Sequence, residues 1–342
     1  MLSTVKNTAL YTYYLSHLWK STQSANRQKA AILMYHGVTD QMINLWTQVH
    51  IDNFKNQMKH IKENCNPISL TELVQARTEK KVLPEYSVCI TFDDGFRNNF
   101  TTAYPVLKEY NIPATIFVTT SFIDKTGRYD GYIWTDYILM LLIDSSETNF
   151  SDTAIGITNA SLNTLDEKIC LKEQITAFLK SKSSEEKERY ITNLKNKLKV
   201  SEIDHSHPVC SSMTWEEVQK ISADPLITIG AHTVNHPILS QIEATEIDEE
   251  IIGSKMILEQ KLNRKITLFA YPNGRPQDYN QKAIATAQNH FDAAISTIEG
   301  LSPYDDDHYQ LKRIPVGNDT KLWQFKLHLA GIYESIKSGS AS

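Results

Sequence analysis

The chain has 342 residues, with 35 lysines and arginines against 40 aspartates and glutamates and a formal net charge of −5. A chain of this length can bury one large core, and α/β barrels of this size are commonly one domain with insertions. The charge balance gives no basic footprint, so nucleic acid is not expected as a partner. The cysteines at positions 65, 89, 170 and 210 form no C-x-x-C pair, which predicts reduced thiols in a cytosolic protein.

Residues 1–29 are predicted to form an N-terminal helical segment. One helical face would carry Leu10, Tyr13, Tyr14, Leu15 and Leu18. The segment lacks the apolar core and cleavage site of a signal peptide, so a cytoplasmic location is expected. We expect this face to pack on the protein's own barrel, with peripheral contact at the inner face of a membrane as the alternative. No run of about eighteen apolar residues occurs, so no membrane-spanning helix is expected.

Strand and helix patterns alternate along the following chain. Short buried strands are predicted at residues 30–35, 88–92, 114–118 and 268–271, and helices at residues 52–62, 104–110 and 245–262. This alternation favours a parallel α/β barrel over a sandwich.

Two adjacent carboxylates, Asp93 and Asp94, directly follow the predicted strand at residues 88–92. Gly95 allows a sharp turn there, so both side chains would stand at the carboxyl end of a strand. Neighbouring carboxylates repel each other unless a cation or a shared proton offsets the repulsion. The pair therefore indicates a metal, an arginine partner or an acid–base role, with a plain Asp-Gly turn as the alternative.

The pattern changes between about residues 127 and 212. Residues 166–200 are rich in lysine and glutamate, with apolar residues at helical spacing and no catalytic motif. We expect a helical insertion beside or over the barrel mouth, with its charges on a solvated face. A contribution to substrate choice is the less favoured alternative.

His232 and His236 follow a second apolar strand and face the same way if a helical turn begins there. One carboxylate and two imidazoles make a facial metal triad with open positions for water and substrate. The motif is not the zinc helix of the His-Glu-x-x-His proteases, because Thr233 stands where that motif needs glutamate. Either histidine alone would more often be structural, so the coincidence of both clusters favours a metal site.

Four segments together resemble the polysaccharide deacetylases, the NodB-homology family of carbohydrate esterases. They are Met34-Tyr-His36-Gly-Val, Thr91-Phe-Asp-Asp-Gly95, His232-Thr-Val-Asn-His236 and Phe269-Ala-Tyr-Pro-Asn-Gly274. The resemblance covers roughly residues 30–125 and 213–318. It implies a distorted (β/α)7 barrel like a TIM barrel over residues 30–318, with residues 319–342 as a C-terminal helix and tail.

The resemblance also implies roles for the first two clusters. Asp93 would be the general base, and Asp94, His232 and His236 would bind one divalent metal ion. Zinc is favoured by availability, with cobalt, nickel, manganese and iron as alternatives. The ion would polarise the acetyl carbonyl and hold the attacking water while Asp93 removes a proton from that water.

The Tyr-Pro-Asn-Gly segment would bind substrate and the oxyanion. The family pattern places the backbone N–H donor at Asn273, and Gly274 would permit close approach of the backbone. Tyr271 is predicted to be a further substrate-binding residue.

Two departures from the family pattern matter. In many relatives, the histidine of a Leu-x-His segment near the C-terminus protonates the leaving amine, and the matching segment of this chain has no histidine. His36 is therefore predicted to be this acid, with His308 as the fallback and a purely structural role for His36 as the alternative. Many relatives have arginine where this chain has Ala270, and Arg313 is the preferred replacement as the cation beside Asp93. We expect a surface position for Arg275.

These residues predict a metal-dependent N-deacetylase that acts on an N-acetylhexosamine in a bacterial glycan or a lipid-linked or nucleotide-linked precursor. The products would be acetate and a free amine. Hydrolysis of O-acetyl esters is the nearest alternative, because the same triad serves esters. An inactive glycan-binding homologue is the alternative of a different class, favoured slightly by Ala270 and opposed by the intact carboxylate and histidine clusters. The sequence leaves the sugar, its carrier and the oligomeric state open.

Overall fold

The computed structural model describes residues 2–332, and it describes side-chain environments from residue 7 onward. In this part of the chain, seven parallel strands form a closed barrel: β1 (Ala31–Tyr35), β2 (Ser87–Phe92), β3 (Ala114–Val118), β4 (Ile227–Ala231), β5 (Leu268–Ala270), β6 (Ala293–Glu299) and β7 (Leu311–Pro315). Strand β1 pairs with both β2 and β7, which closes the sheet. The (β/α)7 barrel predicted from the sequence is confirmed.

Short strands flank the barrel. Asn66–Pro67 adds to the outer edge of β2, and Gly37–Thr39 pairs with Gln48–His50 just beyond β1. Every residue of β1, β2 and β3 is buried, because helices cover the outside and side chains fill the inside. This explains why these strands appear in the sequence as nearly continuous apolar runs.

Helices surround the barrel. They are Leu2–Leu15, Trp19–Ala25, Ile51–Asn64, Leu70–Thr78, Tyr104–Tyr110, Thr120–Asp124, Trp134–Asp144, Leu165–Leu179, Ser184–Lys197, Trp215–Ser222, Ala244–Leu262, Gln281–His290 and Leu322–Leu329, with a π-helical turn at Asn99–Ala103 and 3-10 turns at Arg128–Gly131, Thr153–Ile155 and Leu239–Gln241. The helix Ile51–Asn64 shows how they pack. It buries Phe54, Met58 and Ile61 against the barrel, at the spacing noted in the sequence.

The segment between residues 127 and 212 is less purely helical than expected. Three helices pack with an antiparallel hairpin, Asn149–Asp152 with Ile157–Ser161, around an apolar cluster separate from the barrel core. The hairpin strands are short and mostly polar, so they lack the apolar pattern by which a strand is predicted from the sequence. The expectation that the charges here are solvated is wrong for Lys172 and Lys187, whose side chains are buried.

The N-terminal segment packs against the C-terminal helix Leu322–Leu329, and the face expected from the sequence is partly wrong. Leu10 and Trp19 are buried against this helix, whereas Leu15 and Leu18 are 57% and 63% exposed. The backbone turns into the left-handed region at position 17, with φ of 58°, so the helical spacing ends before Leu18. Residues 333–342 of the expected C-terminal tail lie outside the described residues.

Within residues 2–332, no helix combines the length and the apolar character needed to cross a bilayer. All four cysteines are unpaired, and two of them, Cys89 and Cys210, are buried.

Candidate metal centre and active site

The two sequence clusters meet at the carboxyl ends of β2 and β4. The Nε2 atoms of His232 and His236 lie 3.5 and 3.4 Å from Oδ1 of Asp94. One potential ligand atom from each of the three residues can be chosen so that all lie within 4.8 Å of one another. The structure therefore brings together the three residues that the sequence predicted as metal ligands.

These three residues fit a divalent cation. Burial lowers the pKa of both His232 and His236, so the imidazoles are neutral and cannot neutralise Asp94 themselves. Burial and the neighbouring charge of Asp93 raise the pKa of Asp94, and its Oδ1 is buried without a hydrogen-bond partner. Neutral imidazoles beside an unpartnered carboxylate oxygen are what a bound cation requires.

The backbone orients His232 for this role. Its Nδ1–H donates to the carbonyl oxygen of Ala270 at 2.7 Å, which leaves the lone pair of Nε2 facing Asp94. A hydrogen bond of this kind fixes the tautomer and the ring orientation of a metal-binding histidine. Ala270 thus supports the centre through its carbonyl group, although its side chain cannot replace the family arginine.

Unusual backbone conformations mark the loops of the site. Asp94, Thr233, His236 and Asn273 have φ of 78°, 64°, 55° and 57°. Left-handed residues other than glycine cost on the order of 1–3 kcal/mol each and persist only where their surroundings enforce them. This strain agrees with a site whose side-chain directions matter more than local stability.

Glu250 holds the histidine loop, and the sequence analysis missed it. Its carboxylate accepts hydrogen bonds from the backbone N–H groups of Val234 and Asn235 at 2.9 and 2.8 Å, and from Nδ2 of Asn235 at 2.7 Å. The residue lies on the helix Ala244–Leu262, where its charge looks like any other on a helix surface. Only the fold shows that it holds the turn between the two histidines.

Asp93 forms a two-point ion pair with Arg313. Nη1 and Nη2 of Arg313 donate to Oδ1 and Oδ2 of Asp93, both at 2.8 Å, and Nε donates to the carbonyl oxygen of Ser296 at 2.7 Å. Burial would raise the pKa of Asp93, but the charge of Arg313 and the hydrogen bonds from Arg313 hold it below its usual range. Asp93 is therefore ionised at neutral pH.

The cation beside Asp93 thus comes from β7. Arg313 is fully buried, while Arg275 is exposed, as the sequence analysis preferred. In the closed barrel only one strand, β1, lies between β7 and β2. The guanidinium on β7 can therefore reach the carboxylate of Asp93 at the end of β2.

Arg313→Lys is expected to lower the free energy of unfolding by about 1.5–3 kcal/mol, because lysine cannot reproduce the two parallel hydrogen bonds to Asp93. Chemical denaturation of the metal-free protein would measure the change. Arg275→Lys, an exposed control, should stay within about 0.5 kcal/mol of the original protein. Equal stabilities of all three proteins would contradict the ion pair.

His36 follows β1 and is only partly exposed. Nδ2 of Asn99 donates to its backbone oxygen at 2.6 Å, and its ring centre lies 5.8 Å from that of Trp46 in an edge-on arrangement. Burial lowers the pKa of His36 to about 4 against the opposing charge of Asp93. The imidazole is therefore neutral at pH 7, which the sequence analysis did not foresee for an acid.

His308 is excluded as the fallback acid by its position. Its backbone oxygen accepts a hydrogen bond from Ala294, at the start of β6, so it lies at the amino end of the barrel. The carboxylates and histidines of the site lie at the opposite end, after β2 and β4.

The Tyr-Pro-Asn-Gly segment follows β5. Among the described residues, the backbone N–H of Asn273 has no hydrogen-bond partner, as a free oxyanion donor requires. Gly274 has φ of 69°, and a Cβ there would lie 2.9 Å from the backbone of Thr297 and Tyr271, so the turn needs glycine. Tyr271 is wrongly predicted as a substrate contact, because its side chain is fully buried and stacks on Tyr279.

The model of the family described as polysaccharide deacetylase matches residues 80–291, more than half of the chain. The chain belongs to the polysaccharide deacetylase family. The resemblance inferred from the motifs is therefore confirmed. The proposed metal ligands and Asp93 lie within the matched region, whereas His36 and Arg313 lie outside it.

Individual relatives are distant. This deacetylase is 23% identical to the protein YxkH of Bacillus subtilis (strain 168), over 84% of this chain and 71% of that protein. It is 39% identical to poly-β-1,6-N-acetyl-D-glucosamine N-deacetylase of Staphylococcus epidermidis, but over only 22% of this chain and 27% of the relative. The solved Streptococcus pyogenes deacetylase PplD in complex with acetate has a TM-score of 0.59 at 19% identity, covering 88% of this chain and 98% of that chain.

A cavity of about 190 Å³ opens beside His236 in the deacetylase. One wall comes from the insertion, including Trp134 and Lys187, and the other from the histidine loop and the helix Ala244–Leu262, including Glu249. The insertion therefore borders the space next to the proposed metal centre.

We predict that the deacetylase binds one divalent ion per chain and that His232→Ala removes most of it, because the triad loses one of three ligands. Elemental analysis of both purified proteins would measure the metal content. His290→Ala, which changes an exposed histidine on the helix Gln281–His290, should keep the full content. Equal content in all three proteins would exclude the triad.

Proposed function

We propose that this protein is a metal-dependent N-deacetylase that hydrolyses the acetamido group of an N-acetylhexosamine in a bacterial glycan or glycan precursor. One observation carries the proposal: the unpartnered Asp94 carboxylate and two neutral histidines lie beside Asp93, which Arg313 holds ionised. The arrangement joins a cation site to a carboxylate that can accept a proton.

An ion held by Asp94, His232 and His236 would lower the pKa of a water molecule and polarise the acetyl carbonyl. Asp93 accepts the proton of the attacking water, and the ion pair with Arg313 keeps its carboxylate in one orientation. The backbone N–H of Asn273 donates to the oxygen that becomes negative in the tetrahedral intermediate.

His36 delivers a proton to the leaving amine. Since its pKa is about 4 in the free protein, His36 begins the reaction neutral and must receive from Asp93 the proton that Asp93 has taken from the attacking water. The charge of Asp93 raises the pKa of His36, so the two side chains are electrostatically coupled and suited to successive proton transfers.

The substrate class is supported by the relatives and by the cavity. The Staphylococcus epidermidis relative is named for deacetylation of poly-β-1,6-N-acetyl-D-glucosamine. The cavity of about 190 Å³ beside His236 gives room for part of a sugar next to the reacting acetamide. Polar and aromatic side chains in its wall suit a carbohydrate.

Acetate release tests the proposal most directly. Metal-loaded protein would be given β-1,6-linked and β-1,4-linked N-acetylglucosamine oligomers, a nucleotide-linked and a lipid-linked N-acetyl sugar, and an O-acetylated xylan oligosaccharide. We expect acetate together with an equal amount of new primary amine from at least one N-acetyl substrate. Acetate from the xylan alone would indicate an O-acetyl esterase, and no release from any substrate would indicate a binding homologue.

A further inference from the structure

An exposed tryptophan lies beside the proposed catalytic acid. Trp46 is in the loop that follows β1, and it is 42% exposed. The centre of its ring lies 5.8 Å from that of His36, and the two ring planes are inclined at 66°. Single exposed hydrophobic residues are common on protein surfaces, so exposure alone does not indicate a binding site. The surroundings of Trp46 provide the further evidence.

Gly317, just after β7, makes room for the indole ring. A Cβ atom at this position would overlap Nε1 of Trp46 and lie 2.5 Å from Cδ1 and Cε2 of the same ring. The indole is rigid, so a side chain at position 317 would push the whole ring away. The φ angle of Gly317 is not in the left-handed region, so the backbone conformation does not require glycine. Close contact with Trp46 is what requires it.

The loop that carries Trp46 is fixed before any ligand binds. The carbonyl oxygen of Trp46 accepts a hydrogen bond from the backbone N–H of Asn318 at 3.1 Å, and Nδ2 of Asn318 donates to the carbonyl oxygen of Ile43 at 2.8 Å. Ile43 and Leu45 are buried in the apolar cluster of the insertion, whereas Trp46 stays exposed. A rigid aromatic side chain that is already in place loses little conformational entropy on binding.

Trp46 and the cavity beside His236 lie on opposite sides of the barrel mouth. Trp46 follows β1 and His236 follows β4, and these strands are separated by two strands in one direction around the barrel and by three in the other. Asp94 follows β2, which lies between them. A ligand whose acetamido group reaches the proposed metal centre can therefore extend toward Trp46 as well as toward the cavity. A chain of sugars reaches both sides more readily than a single sugar does.

We propose that Trp46 binds the sugar that adjoins the reacting N-acetylhexosamine, by stacking of the indole on the C–H face of the pyranose ring. The face of an aromatic ring is slightly negative and attracts the slightly positive hydrogens of this sugar face, and stacking removes apolar area of both rings from water. This inference rests on the proposed N-deacetylase function and narrows its substrate to an oligosaccharide or polymer. An N-acetyl monosaccharide, whether free or joined to a nucleotide, lacks the second ring.

Substrate length separates this role from an indirect effect on His36. Steady-state kinetics would compare the original protein with Trp46→Ala on an N-acetylglucosamine tetramer and on methyl N-acetyl-β-glucosaminide, which has one ring. We expect kcat/KM for the tetramer to fall about 5- to 30-fold, mainly through KM, because the stacked ring is lost. The rate on the single-ring glycoside should hardly change. Trp46→Phe keeps an aromatic face and should retain most of the activity on the tetramer.

Gly317→Ala tests the same contact without removing the indole. The added Cβ displaces Trp46, so kcat/KM for the tetramer should fall as it does in Trp46→Ala. Tyr304→Ala is the matched control, because Tyr304 is 44% exposed and lies near Ser302, which pairs with Ala30 ahead of β1, at the amino end of the barrel. This variant should behave as the original protein does. Thermal melting would check that each variant is folded.

Several results would overturn the inference. Equal losses of kcat on the tetramer and on the single-ring glycoside would mean that Trp46 only positions His36. An unchanged KM and kcat for the tetramer in folded Trp46→Ala would remove any role of the indole in binding. Cleavage of the single-ring glycoside by the original protein as efficiently as the tetramer would remove the neighbouring ring. A loss in Trp46→Ala that is confined to a nucleotide-linked sugar would mean that the indole stacks on the base.

Failure of the proposed function would give a different result. In that case the original protein would release acetate from no N-acetyl sugar. Calorimetric titration of the tetramer into the original protein and into Trp46→Ala would then test the contact by itself. Weaker binding by Trp46→Ala would support the sugar platform, and equal dissociation constants would exclude it.

Discussion

Asp93→Asn is expected to keep its metal ion and to lose about 10²- to 10⁴-fold in kcat on an N-acetyl sugar. The amide of asparagine cannot accept the proton of the attacking water, whereas the carboxylate of Asp93 is ionised at neutral pH through its pairing with Arg313. Single-turnover acetate release, with metal content determined on the same sample, would measure both quantities.

The neighbouring carboxylate provides the matched comparison. Asp94→Asn should lose metal as well as activity, because Oδ1 of Asp94 is the oxygen that faces both imidazoles. Asp93→Asn also leaves the buried guanidinium of Arg313 without its anion, so thermal melting must show that the variant is folded. An empty metal site in folded Asp93→Asn would require the roles of base and ligand to be reassigned.

The sequence allowed the central site to be predicted because its parts follow strands. In a parallel barrel, all carboxyl ends of the strands meet at one end of the sheet. Asp94 after β2 and the histidines after β4 therefore had to lie on the same side of the molecule. The pairing of β1 with both β2 and β7 brings His36 and Arg313 close to Asp93 in the same way.

Residues that reach the site from outside the strands were not predictable in the same way. Glu250 lies on the helix Ala244–Leu262, where a lone acidic residue resembles an ordinary surface charge. Its role depends on how this helix packs on the barrel, and no local pattern encodes that packing. Burial of Lys172 was missed for the same reason.

The orientation and the protonation state of a side chain were harder to predict than the place of its residue in the fold. Tyr271 lies in the expected loop, but its ring is fully buried in the core and stacks on Tyr279. The pKa of His36 depends on burial and on several charges supplied by distant parts of the chain. A motif indicates which residue is present at a site, while its protonation state depends on the assembled surroundings.

This low pKa changes what pH dependence can reveal about His36. A histidine that begins the reaction protonated would give an alkaline limb near its own pKa in the pH profile. Since the pKa of His36 is lowered to about 4, its free form is neutral throughout the range from pH 6 to 8, and titration of His36 should produce no limb there. Comparison of leaving groups is therefore a sharper test than a pH profile.

His36→Ala should reduce hydrolysis of an N-acetyl sugar by about 10²- to 10⁴-fold and that of 4-nitrophenyl acetate far less. Expulsion of an amine from the tetrahedral intermediate requires a proton, whereas nitrophenolate leaves readily without one. Rates on both substrates would be measured for metal-loaded protein whose folding is checked by thermal melting.

His60→Ala is the matched control. Burial also lowers the pKa of His60 to about 4, but His60 lies away from the site, on the outer helix Ile51–Asn64 against Phe325. Equal losses on amide and ester in folded His36→Ala would make His36 structural, and because His308 lies at the far end of the barrel, Asp93 would then have to return the proton to the amine itself.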